Sequence, residues 1–158
     1  MKKLYLMRHA EASSIITDDF SRVLSNKGKE QAIEAAKFIS TYCNIELILC
    51  STSIRTVETC SYILESNTNV KVEYLEKIYS GSTADILEII VHMIDSDLSE
   101  ALVIGHNPTI FSLVTELCNK KCDRYCELIG SYMHEARIIG LEYETEYWPN
   151  RLINNGYI

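Results

Sequence analysis

Three short stretches hold the residues with the greatest capacity for chemistry: Arg8-His9, Ser51-Thr52-Ser53-Ile54-Arg55-Thr56 and Gly105-His106-Asn107-Pro108. Arginine offers planar, bidentate donors to an oxyanion. A neutral imidazole, with an ordinary pKa near ~6.5, carries a proton on one nitrogen and a lone pair on the other. If a backbone carbonyl holds the protonated nitrogen, the second nitrogen is free to attack phosphorus. Two arginines and another histidine can then stabilise charge on the equatorial oxygens, which is most of what phosphoryl transfer asks of a protein. The chemistry described by these residue types is phosphorylation of a histidine followed by hydrolysis of the phosphohistidine by water.

For that chemistry the three stretches must meet, and the pattern around them provides the means. Each follows a short apolar run suited to a buried strand, at residues 4–7, 47–50 and 101–104, and a fourth such run covers 70–75. A helical pattern follows each run: Ala32, Ala35, Ala36, Ile39; then Ile54, Val57, Ser61, Leu64; then Leu87, Ile90, Val91, Ile94; then Ile110, Leu113, Val114, Leu117. Strands alternating with helices predict a parallel sheet with right-handed crossovers and helices on both faces, a three-layer α/β/α fold. Residues 135–143 and 144–148 predict one or two further strands without an intervening helix, an antiparallel extension at one edge that makes the mostly parallel sheet mixed.

In such sheets ligands bind beyond the carboxyl ends of the strands, where all three stretches fall. Asn107 as N-cap with Pro108 at the first helical position, and Ser53 as N-cap with Arg55 in the first turn, predict two helix N-termini facing the same rim. Free N–H groups and partial positive charge there favour phosphate. A loop of about fifteen residues at 10–25 follows the first strand and is long enough to be functional. Residues 119–129 predict an exposed irregular connection.

The chain has 158 residues, 47% of them hydrophobic, enough for one domain spanning 1–158 with a core that needs no staples. Lys and Arg number 15 against 22 Asp and Glu, a net charge of −7, which argues against a nucleic-acid or membrane-surface binder. The opening residues lack a signal peptide's apolar stretch and no run reaches membrane-spanning length, so six cysteines read as reduced thiols in a cytoplasmic protein.

The chain resembles the histidine phosphatase superfamily, also called phosphoglycerate mutase-like. The resemblance rests on Leu6-Met7-Arg8-His9-Ala10-Glu11-Ala12, then residues 19–28 (Asp-Phe-Ser-Arg-Val-Leu-Ser-Asn-Lys-Gly), then Ser51-Thr52-Ser53-Ile54-Arg55-Thr56-Val57-Glu58-Thr59, then Val103-Ile104-Gly105-His106-Asn107-Pro108. These blocks stand in the family's order over residues 4 to 108, and the small size with Gly-His-Asn-Pro is most similar to SixA-like phosphohistidine phosphatases. The resemblance implies His9 as phosphorylated nucleophile, Arg8 and Arg55 as phosphate clamps, and His106 as a second histidine on the phosphoryl oxygens. Arg22 matches a loop position that reaches substrate or orders the loop. For the proton donor two acids stand open, Asp19 on the first loop and Glu76 after the third strand. A weakly placed acid favours phosphoramidate substrates, because imidazole leaves more readily than an alcohol.

The expected function is a metal- and cofactor-independent, monomeric phosphatase, and the resemblance implies phosphohistidine in a signalling protein as its substrate. The alternatives are a phosphatase of small phosphorylated metabolites and a non-catalytic phosphate-reading module. A mutase is disfavoured because little of the chain is left to form a lid. His92 and His134 read as structural. Cys118, Cys122 and Cys126 recur every fourth residue, yet lack the close pairs and fourth ligand of a zinc site. Tyr143, Tyr147 and Trp148 are expected to pack the sheet edge.

Overall fold

The computed structural model describes residues 1–15, 18–148, 152–153 and 155–158. The expected strands are β1 (Lys2–Arg8), β2 (Leu47–Ser51), β3 (Lys71–Leu75), β4 (Glu100–Gly105) and β5 (Ile138–Tyr143). They form one sheet in the order β3-β2-β4-β1-β5, parallel throughout except for β5, which runs antiparallel to β1. The mixed three-layer α/β/α architecture is therefore as anticipated. Register does the positioning: Arg8 lies opposite Gly105 and Cys50 opposite Ile104. The residues that follow β1, β2 and β4 thus leave the sheet side by side.

Strand side chains alternate faces. Met7, Ile48, Leu102 and Ile104 pack under α1 (Asn26–Tyr42) and α2 (Ile54–Ser66), against Ile39, Cys60 and Ile63. Leu4, Leu6, Leu49 and Val103 face the other layer, where α4 (Thr83–Met93) and α5 (Thr109–Leu117) supply Ile86, Ile90, Leu113 and Leu117. Burying each such Leu or Ile side chain is worth about 2 kcal/mol, so the two apolar layers fix the sheet on which the strand ends stand.

The predicted face of α5 is the buried one, as are the four residues named for α1. α2 is rotated by a residue: Arg55, Thr56, Thr59, Cys60 and Ile63 turn inward and Ser61 is exposed. The reason is local, since Thr59 Oγ1 accepts from the Ala10 N–H and donates to the Arg55 carbonyl, which makes a polar residue an inner one. α4 buries Ile86 with Ile90, while Leu87 and Val91 are only partly covered.

Two short helices were not anticipated, α3 (Glu76–Ser80) after β3 and α6 (Tyr125–Ile129) within 119–129, a stretch expected to be irregular. Residues 144–148 form no strand. The chain bends there through mutual bonds between Thr145 and Tyr147, and Trp148 turns in to donate its indole N–H to the Leu98 carbonyl. Tyr143 and Trp148 are buried, whereas Tyr147 is exposed. Ile16 and Thr17 of the long loop lie outside the described residues.

Asn107 does not cap α5. Its Nδ2 donates to the Met133 carbonyl, and the helix begins at Thr109 without a side-chain cap. Ser53 does stand at the N-cap of α2, but its hydroxyl bonds Thr56 Oγ1 rather than a backbone N–H.

Candidate active site

His9 emerges at the end of β1 and is held by its backbone on both sides: its N–H donates to the Gly105 carbonyl, and its own carbonyl accepts from Ala136. Nδ1 lies 2.7 Å from the Ala10 carbonyl oxygen, an acceptor only, so Nδ1 carries the proton. Nε2 is left with its lone pair and accepts from Arg55 Nε at 3.2 Å. Burial pushes the His9 pKa down to about 4; the Ala10 bond works against that shift, and the charges of Arg55 and Arg8 add to it. A buried, neutral imidazole with one fixed tautomer and a lone pair directed at cations is what nucleophilic attack on phosphorus requires.

His106, at the end of β4, lies close by, its ring centroid 5.0 Å from that of His9. Its Nδ1 is 3.3 Å from Arg55 Nη2 and its Nε2 is 2.7 Å from Ser51 Oγ. Burial comes first, then the repulsion two protonated rings would feel beside His9, then the charge of Arg55, and together they hold its pKa down to about 3. Arg55 enters from the first turn of α2 and joins the two rings. Its remaining donors go to the loop, Nη1 to the Asp19 carbonyl oxygen and Nη2 to Asp19 Oδ2 at 3.0 Å.

Arg8 comes from the last position of β1. Its Nη2 pairs with Glu135 at 2.7 Å, and Nη1 donates to the Met133 carbonyl and the Tyr132 hydroxyl, each at 3.0 Å. Among the described residues its Nε is buried with no partner, an unused donor beside the histidines' strand ends. Arg22 donates to the Ser13 carbonyl and to Asp19 Oδ1, so it orders the loop.

The two candidate acids separate clearly. Asp19 is in the cluster, bonded to Arg55, Arg22 and the Tyr79 hydroxyl. Partial burial pushes its pKa up, but the bond and charge of Arg55, with Tyr79 and Arg22, outweigh that and hold the carboxyl below its usual range. In this arrangement it is ionised at neutral pH, paired with Arg55. Glu76 is exposed at the start of α3 and, among the described residues, its side chain bonds none of the site residues.

Reasoning from residue type missed Ser51, Thr59, Tyr79 and Glu135. Tyr79 rides on the unanticipated α3 and meets His106 edge-on at 5.5 Å. Ser51 and Thr59 stood inside a motif block, but a hydroxyl carries no charge signal to single it out. Among the described residues the His92 ring bonds only the Glu88 carbonyl of its own helix, and His134 meets the Tyr132 ring edge-on. Cys118, Cys122 and Cys126 fall on the end of α5, a turn and α6, buried, half-buried and exposed respectively. No three His, Cys, Asp or Glu among the described residues could jointly hold a metal ion.

Residues 4–79 match the family model described as histidine phosphatase superfamily (branch 1). Over that stretch the chain is similar to the histidine phosphatase superfamily. This family of hydrolases works through a phosphohistidine intermediate. An uncharacterised protein of Mycobacterium leprae is 29% identical over 117 residues, 70% of each chain. A phosphohistidine phosphatase SixA homolog of Haemophilus influenzae is 24% identical over 132 residues, 75% of this chain and 78% of that one. The structure of a candidate phosphohistidine phosphatase SixA from Nakamurella multipartitia superposes with a TM-score of 0.85 at 25% identity, covering 99% of this chain and 92% of that one. No helix among the described residues is long and apolar enough to cross a membrane.

Proposed function

We propose that the chain is a phosphohistidine phosphatase in which His9 is the nucleophile, Arg8 and Arg55 clamp the phosphoryl group, and His106 attends its oxygens. His9 Nε2 forms a bond to phosphorus as the substrate's own P–N bond breaks, and the bonding pair leaves with the imidazole, which takes a proton from solvent. Water then adds to phosphorus, the pair of the His9–P bond returns to Nε2, and inorganic phosphate departs. Arg55 moves its donors from His9, His106 and Asp19 to phosphoryl oxygens, and the free Nε of Arg8 is an additional donor.

The observation that carries this reading is a nucleophilic nitrogen set among cations with no protonated carboxyl beside it. Without a resident acid, a leaving group that can take its proton from water is favoured over an alkoxide. The names of the similar SixA proteins point to the same substrate class. The reading includes a metal-free reaction, since the arginines supply the positive charge, and a monomeric cytoplasmic protein acting on a phosphorylated partner protein rather than on nucleic acid or membrane.

The test is incubation of a phosphohistidine-bearing protein with the enzyme, quenched in alkali to preserve P–N bonds, alongside an alkyl phosphate and in the presence of EDTA. Release of phosphate from the first substrate only, with a trapped phosphoenzyme absent in His9→Ala, is the expected result. Equal turnover of both substrates would move the assignment to small phosphorylated metabolites. Tight binding without release would make the site a phosphate reader.

A further inference from the structure

Ser51 ends β2 with no solvent exposure, and its hydroxyl oxygen sits 2.7 Å from His106 Nε2. The other ring nitrogen faces Arg55 Nη2. A guanidinium has donors only, so Nδ1 must present a lone pair to it. A neutral ring has one proton, which is then on Nε2, and Ser51 Oγ accepts it. The Ser53 backbone N–H also approaches Ser51 Oγ, at 3.4 Å, so two donors converge on this oxygen.

We propose that Ser51 is a positioning residue that fixes His106 in its Nε2–H tautomer and so aims the Nδ1 lone pair into the pocket beside His9. The arrangement is the reverse of that at His9, where the Ala10 carbonyl fixes the proton on Nδ1 and Nε2 faces inward. Each imidazole is anchored by the nitrogen facing away from Arg55 and offers that arginine the other. When Arg55 turns to a phosphoryl oxygen, the Ser51 bond still holds the His106 ring plane, because it is made on the far side of the ring. Nδ1 is then the nitrogen that takes a proton from, or shares one with, the phosphoryl group.

The choice of a hydroxyl matters. A carboxylate at this place would favour the imidazolium, adding a cation next to Arg55 before any anion arrives. Serine orients the ring and leaves it neutral.

The inference rests on reading this pocket as catalytic, but its decisive measurement needs no substrate. In 15N-histidine-labelled wild-type protein, long-range proton–nitrogen spectra at pH 7 should show His106 protonated on Nε2 and His9 on Nδ1. His106 protonated on Nδ1 would overturn the proposal. Ser51→Ala should mix the His106 tautomers and lower kcat on the phosphohistidine protein by on the order of 100-fold, with KM within about twofold, as a misaligned group does. Ser51→Thr, which keeps the hydroxyl, should restore the single tautomer and most of kcat. An unaltered tautomer and unaltered kcat in Ser51→Ala would count against the role, and the wild-type spectrum decides the matter if the variants fold poorly. Absence of wild-type turnover, by contrast, would count against the substrate class alone.

Discussion

The two ends of the sheet treat their polar groups in opposite ways. Where β1 and β4 begin, Lys2 Nζ donates to the Ser96 and Leu98 carbonyls, each at 2.7 Å. There the Glu46 carboxylate accepts the Ser99 and Glu100 N–H groups, while that of Glu100 accepts the Asn44 N–H and the Tyr5 hydroxyl. These side chains are satisfied within the fold. At the opposite end, among the described residues, Arg8 Nε, Thr52 Oγ1 and Asn107 Oδ1 are buried without partners. An unmade buried hydrogen bond costs about 1–3 kcal/mol, and an oxyanion would accept from Arg8 Nε and the Thr52 hydroxyl, while Asn107 Oδ1, itself an acceptor, calls for a donor. Charge alone does not mark a site, since both ends have it. A cluster of unused bonding groups does, among the described residues three at this end against the Tyr143 hydroxyl alone at the other, opposite Lys2.

The largest test of this contrast is removal of the cations and nucleophile. His9→Ala should abolish turnover, and Arg8→Ala or Arg55→Ala should lower kcat/KM by about 100- to 1000-fold, some 3–4 kcal/mol of transition-state stabilisation. Stopped assays against the phosphohistidine protein measure this, and a loss below tenfold from both arginine variants would break the comparison.

Next in size is the response to acid. The unfolded histidines titrate near ~6.5, whereas His9 and His106 are held down to about 4 and about 3. Between those values the unfolded chain binds more protons, so stability is full above about pH 6.5 and drains as pH falls toward 4 and then 3. Urea midpoints from pH 7.5 to 4 should show that slope, flattened in the His9→Ala/His106→Ala double variant. The acid limb of kcat/KM should fall near pH 4 rather than 6.5.

Smaller effects belong to the satisfied end. Tyr5→Phe removes one hydrogen bond there and should lower stability by about 1 kcal/mol without altering kcat. The smallest concerns Thr52→Val, which deletes an unpartnered hydroxyl at the reactive end. Its melting temperature should hold or rise slightly, while calorimetry finds weaker binding of inorganic phosphate; unchanged affinity would remove Thr52 from the pocket.

Much of this arrangement was legible in residue order. The apolar runs gave the strands, and the strand ends gave His9, Arg55 and His106, because a parallel sheet leaves few other places for residues that follow its strands. The α5 face was readable since Ile110, Leu113, Val114 and Leu117 are purely apolar. The α2 face was not, because its inner side carries Arg55, Thr56 and Thr59 for the pocket and looks polar. α3 spans five residues, too few to show a period, so Tyr79 stayed hidden with it. Asp19 was readable as a loop acid, but the lowering of its pKa and its place in the cluster depend on Arg55, Tyr79 and Arg22 meeting it.

The long loop after His9 has a narrow neck. Ser25 N–H bonds the Glu11 carbonyl, Ser13 N–H the Val23 carbonyl, and Ala12 bridges Leu24. At the foot of that neck α1 packs so closely that a Cβ on Gly28 would come within 2.0 Å of the Glu11 carbonyl oxygen. Beyond the neck the loop folds back, Asp19 onto Arg55 and the Phe20 carbonyl onto the Ile54 N–H, so it is tied to the pocket at its base and again near its tip. A change at Asp19 or Phe20 is therefore transmitted through Arg55 and the start of α2 to both imidazoles, and the loop cannot be rewritten without disturbing the strand ends it leans on.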